Sequence, residues 1–399
     1  MRVRAPAARP PRVARAARRA VVALLAPVVA LLPAAVALPG SSARADGIRA
    51  QEWALDAIHA RDAWRTTRGA GVTVAVLDTG VDGDHPDLRG RVLPGTDLVG
   101  FGARRGERAW ARHGTAMAGI IAGRGHGAAD GDGVVGVAPE ARVLPVRVIL
   151  EDADPAREKA RATRGGALAD GIRWAADHGA DVINLSLGDD SESAHPEPRE
   201  DAAVQYALRK GVVVVASAGN GGGKGDRVSY PAAYPGVIAV TAVDRYGTRA
   251  AFSTRRWYAT LSAPGMDVVI VDPDRRYYEG WGTSAAAAFV SGSAALVRAA
   301  HPGLSPLQVR RLLVDTAQEA PEGGHSDELG AGLVDPAAAI AAGAKLRPDS
   351  GRPAVGAYPR RYFGAGPAPA RTAHRDSGPG APALAAASLG AVLLAAAAL

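Results

Sequence analysis

Five short, mostly apolar and β-branched runs recur along the chain, at 72–77 (VTVAVL), 143–148, 181–187 (DVINLSL), 212–216 (VVVVA) and 237–243. Runs of this length without polar alternation suit strands buried on both faces. Between them, 166–178 and 200–210 carry apolar residues at helical spacing, and the second is stopped by Gly211 as a C-terminal cap. A helix pair is expected at 284–301 and 305–316, the latter opened by Ser305-Pro306 as N-cap and first helical residue. Strand–helix–strand alternation argues an α/β fold, a mainly parallel sheet flanked by helices in three layers. Two polar stretches, 151–164 and 189–199 (DDSESAHPEPR), read as surface loops. There is no internal repeat, and the pattern supports one domain over 46–344.

The flanks differ from this body. An apolar stretch at 21–38 follows seven arginines in the first 20 residues, and Ala43-Arg44-Ala45 supplies small residues for cleavage. Residues 1–45 thus read as a secretory signal peptide cut near Ala45, an uncleaved anchor being the other reading. Composition turns to Pro, Gly, Ala and Arg over 345–382, which reads as a linker. Residues 383–399 carry no charge. As a helix they would span about 25 Å, near the lower limit for a transmembrane segment; a low-complexity tail is the alternative. An exported, anchored chain places the domain outside the cell membrane on a single pass.

Charge changes the picture only at the N-terminus. The net charge of +7 invites a nucleic-acid partner, but without the seven leading arginines the 47 basic residues equal the 40 acidic ones. The body is neutral, and no nucleic-acid binding is expected of it. Cysteine is absent, which excludes disulfides and thiolate metal sites.

Candidate chemistry sits at the ends of the expected elements. Asp78 closes the apolar run 72–77, where a buried carboxylate needs a partner. His113-Gly114-Thr115 opens a small-residue helix over 116–123. Of nine histidines, His85 lies in a turn and His178, His195, His301 and His325 at helix ends or in loops; His113 differs by its context. Ser284 follows Gly282-Thr283 at the start of an apolar helix, where the helix dipole and free N–H groups favour developing negative charge. The run at 212–216 leads through Ser217-Ala218-Gly219 to Asn220, which sits in a glycine-rich turn and offers an amide donor. Singly, these read equally as a turn acid, a packed histidine, a helix cap and a left-handed turn residue.

Together, VLDTGVDGDHPDL, HGTAMAGIIAG, SAGN and GTSAAA resemble the Asp, His, oxyanion-Asn and Ser blocks of subtilisin-like serine proteases, in the Asp–His–Ser chain order of subtilisin. The resemblance covers roughly 51–340. It implies a serine endopeptidase with Asp78, His113 and Ser284 as triad, Asn220 as oxyanion donor, and Ser186, Leu187 and Gly188 (within INLSLG) lining the substrate cleft. Ala288 stands where the family usually has proline; that proline shapes the helix start and has no chemical role. The family pattern also offers a calcium site through Gln51, Asp87 and Asp130, with turn-forming aspartates as the alternative. No other cofactor is expected. The opening QEWALDAIHARDAW, a pre-Asp78 extension of about 32 residues, the linker and the C-terminal apolar segment are similar to mycosins, the membrane-anchored proteases of type VII secretion. That similarity implies a secretion complex and its exported proteins as partners. A general cell-surface protease and a mainly scaffolding component remain the alternatives.

Overall fold

The computed structural model describes residues 47–349. The signal peptide, nearly all of the linker and the C-terminal segment expected from the sequence lie outside the described residues. Among the described residues, no helix is long and apolar enough to cross a membrane.

The strands are, in chain order, β1 (Thr73–Asp78), β2 (Thr96–Asp97), β3 (Arg124–His126), β4 (Asp132–Val135), β5 (Arg142–Arg147) and β6 (Val182–Leu185). Then come β7 (Val213–Ser217), β8 (Ile238–Val243), β9 (Ala259–Pro264), β10 (Val268–Val271) and β11 (Tyr277–Gly280). The helices are α1 (Trp53–Ala57), α2 (Ala60–Ala63), α3 (Arg112–Ala122), α4 (Arg157–Thr163), α5 (Ala167–Asp177), α6 (Pro198–Arg209), α7 (Thr283–Ala300), α8 (Pro306–Asp315) and α9 (Pro336–Gly343). Seven strands form one sheet in the order β2-β5-β1-β6-β7-β8-β9. All its pairings are parallel.

The alternation of side chains along a strand divides the core. Val74, Val76, Val213, Val215 and Val240 pack with α3, α7 and α8 on one face. Ala75, Leu77, Ile183, Val214 and Ala239 pack with α5 and α6 on the other. Both faces are covered, which is why the strands read as unbroken apolar runs. The three-layer α/β architecture is therefore the one the pattern predicts.

The central element is α7, buried from Ala285 through Arg298. Small residues make this fit. A Cβ on Gly292 would stand 2.6 Å from the Val137 Cβ, closer than packed carbons tolerate. Ala288 is wholly buried in the uninterrupted helix.

The expected strands and long helices all form, with three differences. The stretch 151–164 is not only loop: it holds α4, which buries little beyond Ala160, against Val99 and Leu150. A helix with so little apolar surface leaves almost no periodic signal. Helix α6 starts at Pro198 rather than 200, with proline in its first turn. Helix α3 begins at Arg112, so His113 lies inside its first turn.

The N-terminal segment is tied down by polar contacts to backbone. Arg49 donates from Nε to the Gly133 carbonyl (2.6 Å) and from Nη2 to the carbonyls of Asp130 and Asp132. The Trp53 and Trp64 indoles donate to the carbonyls of Asp267 and Val137, and the Glu52 carboxylate accepts from the Val135 amide.

Two substitutions test this account. Gly292→Ala overpacks α7 against Val137 and is expected to lower unfolding stability by about 1–3 kcal/mol in a denaturant titration. Arg49→Ala removes a charged donor from converging carbonyls and is expected to cost about 2 kcal/mol; an unchanged denaturation midpoint would contradict the bracing role.

Candidate active site

Strand β1 runs between β5 and β6 in the middle of the sheet and delivers Asp78 at its C-terminal end with no solvent exposure. In a parallel sheet this edge, at a strand's carboxyl end, is where sites assemble. The carboxylate is fully engaged. Oδ1 accepts from the Thr79 amide at 2.7 Å, and both oxygens lie 2.9 Å from His113 Nδ1. This contact fixes which imidazole nitrogen faces the acid and leaves Nε2 toward the cleft.

The His-Gly-Thr motif explains how α3 comes so near β1. A Cβ on Gly114 would lie 2.0 Å from the Gly80 carbonyl oxygen, so only glycine permits the approach. The two segments are then stitched together. The Gly114 amide donates to Thr79 Oγ1 (3.1 Å), and the Asp82 amide donates to Thr115 Oγ1 (2.9 Å). The His113 amide donates to Glu151 Oε1 at 2.8 Å. Burial disfavours the charged imidazole, but the Asp78 charge and hydrogen bond outweigh it, with help from Glu151 and Asp152. The His113 pKa is pushed up to about 9.

Ser284 stands in the first turn of α7, whose N-terminal N–H groups have no intrahelical acceptors. Its hydroxyl donates to the Ser186 carbonyl at 3.2 Å. The segment 184–186 holds that end of α7 through a chain of buried polar contacts. Ser291 Oγ donates to Asn184 Oδ1 (2.9 Å), Asn184 Nδ2 to Ser186 Oγ (2.9 Å), and Ser186 Oγ to the Ser284 carbonyl (2.8 Å). Asn184 and Ser291 are fully buried. Neither was among the residues expected from the sequence, although an amide inside the apolar run DVINLSL was a visible signal.

Asn220 is anchored from below. Its Oδ1 accepts from the amide and hydroxyl of Thr283, each at 3.0 Å, which leaves Nδ2 as the outward end. Nδ2 and the Ser284 amide nitrogen lie 3.8 and 3.7 Å from the position a Cβ on Gly282 would take. Two donors thus border one small space beside the serine.

His113 and Ser284 line the same open cleft of about 300 Å³, together with Glu151, Glu279, Trp281 and Met117 among others. Ser186, Leu187 and Gly188 continue from β6 beside the start of α7. Ser186 is buried, Leu187 half-buried with its carbonyl accepting from Ser217 Oγ, and Gly188 exposed. The structure therefore brings Asp78, His113, Ser284, Asn220 and the 186–188 segment to one end of the sheet.

The three residues considered for calcium each have protein partners. Gln51 is exposed and donates from Nε2 to the Gly47 carbonyl. Asp87 spends both carboxylate oxygens on protein donors, with His126 Nδ1 at 2.6 Å, the Val134 amide at 2.9 Å and the Tyr277 hydroxyl at 3.0 Å. The Asp130 carboxylate pairs with Arg124 at 2.6 Å. The carbonyls of the intervening loop already hold a cation, the Arg49 guanidinium. Among the described residues, no group of three or more His, Asp or Glu side chains is placed to hold a metal ion. All three side chains thus make protein-to-protein contacts in this structure.

Comparison with known proteins agrees with this geometry. Residues 69–332 match the model of the subtilase family, peptidase family S8. The chain is 38% identical over 314 residues to fervidolysin of Fervidobacterium pennivorans, covering 72% of this chain and 43% of that protein. It is 40% identical over 258 residues to a thermophilic serine proteinase of Bacillus sp. strain AK1, covering 64% and 59%. It thus spans about half the length of these two relatives. Among solved structures, the MycP3 protease from the type VII (ESX-3) secretion system superposes with a TM-score of 0.62 at 34% identity, over 72% of this chain and 87% of that one. With a matching family model, matching relatives and a seven-stranded parallel sheet carrying the motif residues at one end, the chain belongs to the subtilase family of serine peptidases.

Proposed function

We propose that the protein is a serine endopeptidase acting on protein substrates through Asp78, His113 and Ser284. The observation that carries this reading is the Asp78–His113 pair opening into the same cleft as Ser284. The thermophilic serine proteinase among the relatives supports it. In the reaction, the Ser284 hydroxyl turns from the Ser186 carbonyl and attacks the peptide carbonyl. His113 takes its proton and returns it to the leaving amine, while Asp78 orients the ring and stabilises the imidazolium. The oxyanion forms beside Asn220 Nδ2 and the Ser284 amide. Water then repeats the sequence on the acyl-enzyme. The 186–188 backbone pairs with an extended peptide as an added strand.

A finer reading follows from the likeness to the MycP3 protease. The chain would act in type VII secretion, on exported proteins, at the outer face of the cell membrane. The apolar stretches at 21–38 and 383–399 support that placement. Retention of the chain in the membrane fraction, and co-purification of a secretion complex with the Ser284→Ala variant, are its tests. Free release into the medium would count against it, and a complex held without any catalysis would favour scaffolding.

A covalent serine-directed probe is expected to label the intact protein and not Ser284→Ala. A folded protein that takes no label would sink the peptidase reading. Asn220→Ala is expected to lower kcat by about 10²–10³-fold with labelling retained at a slower rate.

The pH dependence follows from His113. Its pKa lies above the ordinary imidazole value of 6.5, at about 9, and only the neutral ring accepts a proton. The pH profile of kcat/KM is therefore expected to rise through a midpoint near 9. Stability runs the other way. The contribution of the Asp78–His113 pair is complete below the unfolded value near 6.5 and is lost as pH rises through about 9.

A further inference from the structure

The proposed triad does not account for Glu151. This residue lies on the loop after β5, the strand paired with β1, and it lines the cleft half-buried beside His113. Its Oε1 accepts the His113 amide at 2.8 Å.

The start of α3 makes that contact matter. Ala111, the N-cap, sits in the left-handed region (φ 56°) and provides no side-chain cap. The first-turn N–H groups must therefore be satisfied from outside the helix or by tight local turns. Thr79 takes the Gly114 amide, Glu151 takes the His113 amide, and the Ala111 carbonyl takes the Thr115 amide. A carboxylate in the first turn also opposes the positive end of the helix dipole. Without Glu151, the His113 amide would lose this acceptor, and the base would be held by its ring contact to Asp78 and the neighbouring Gly114 amide.

The charges around the ring and the cleft come from four elements. Asp78 ends β1, and Glu151 and Asp152 sit on the loop after β5, with Asp152 paired to Arg157 at 2.7 Å. Arg112 on α3 is neutralised by Asp272 at 2.6 Å. Glu279 on β11 also lines the cleft. Among these, Asp78 acts first on the imidazole and Glu151 next.

We propose that Glu151 is a positioning residue for His113, clamping the main chain of the base and placing a second negative charge beside its ring. This rests on the serine-peptidase reading. The contact with the amide holds the ring's origin fixed as it swings between hydroxyl and leaving group. The charge raises the proton affinity of the base without contacting the substrate carbonyl.

Glu151→Gln keeps an acceptor and removes the charge; Glu151→Ala removes both. Two measurements separate the roles. The first is a ¹H–¹⁵N NMR titration of the His113 ring in the Ser284→Ala background, which needs no turnover. The second is the pH profile of kcat and KM on a peptide substrate with Ser284 intact.

Both variants are expected to lower the ring pKa, by roughly half a unit or more, and to move the kcat/KM midpoint down with it. Glu151→Ala is further expected to lose about tenfold in plateau kcat at little change in KM, and Glu151→Gln to recover most of that loss. A ring pKa in both variants equal to that of the unsubstituted site would overturn the proposal, as would equal kcat losses in the two. Absence of Ser284-dependent turnover would remove the peptidase reading alone, since the ring titration still decides whether Glu151 acts on His113.

Discussion

A carboxylate with no access to water dictates the arrangement of this molecule's upper edge. Burying Asp78 is costly unless every oxygen is matched by a donor, and the nearest donors are the Thr79 amide and His113. To bring His113 there, α3 must touch the turn after β1, which demands Gly114. Once α3 is seated, its small residues Ala116, Ala118 and Ala122 pack into the same core as α7. The position of the acid therefore propagates through one helix into the core and on to the element that carries the serine.

The second half of the site obeys a different constraint. Helix α7 is surrounded by protein, and its polar residues can survive there only if paired. Asn184, Ser186 and Ser291 form that pairing, and they do so across the boundary between sheet and helix. The same contacts fix the Ser284 carbonyl and, through it, the first turn of α7. The bonds that satisfy these buried polar groups are the same ones that position Ser284.

Much of this was legible in the sequence. Uninterrupted β-branched runs are what a doubly covered sheet requires, and 72–77, 212–216 and 237–243 became β1, β7 and β8. Asp78, His113, Ser284 and Asn220 were visible because each sits in a short motif at an element's end. What could not be read was set by long-range partners. Glu151 lies in a polar stretch like any exposed loop, and only the fold sets it beside His113. Strand β2 has two residues and β9 mixes serine and threonine with alanine, so neither has a run to recognise. The calcium expectation rested on the same kind of signal. It followed acid positions along the chain, whereas Arg49, a residue of opposite charge, reaches the same loop through space.

If Ser284 is the nucleophile proposed above, its place on a deeply enclosed helix ties the power to cut to the completeness of the fold. A helix packed on several sides cannot loosen by itself; it comes free only when the sheet and its neighbours do. A chain still assembling, or one coming apart, would then lack an aligned nucleophile and would be harmless to the unfolded copies around it. On the proposed peptidase reading, such a fail-safe would restrain self-digestion from within the architecture.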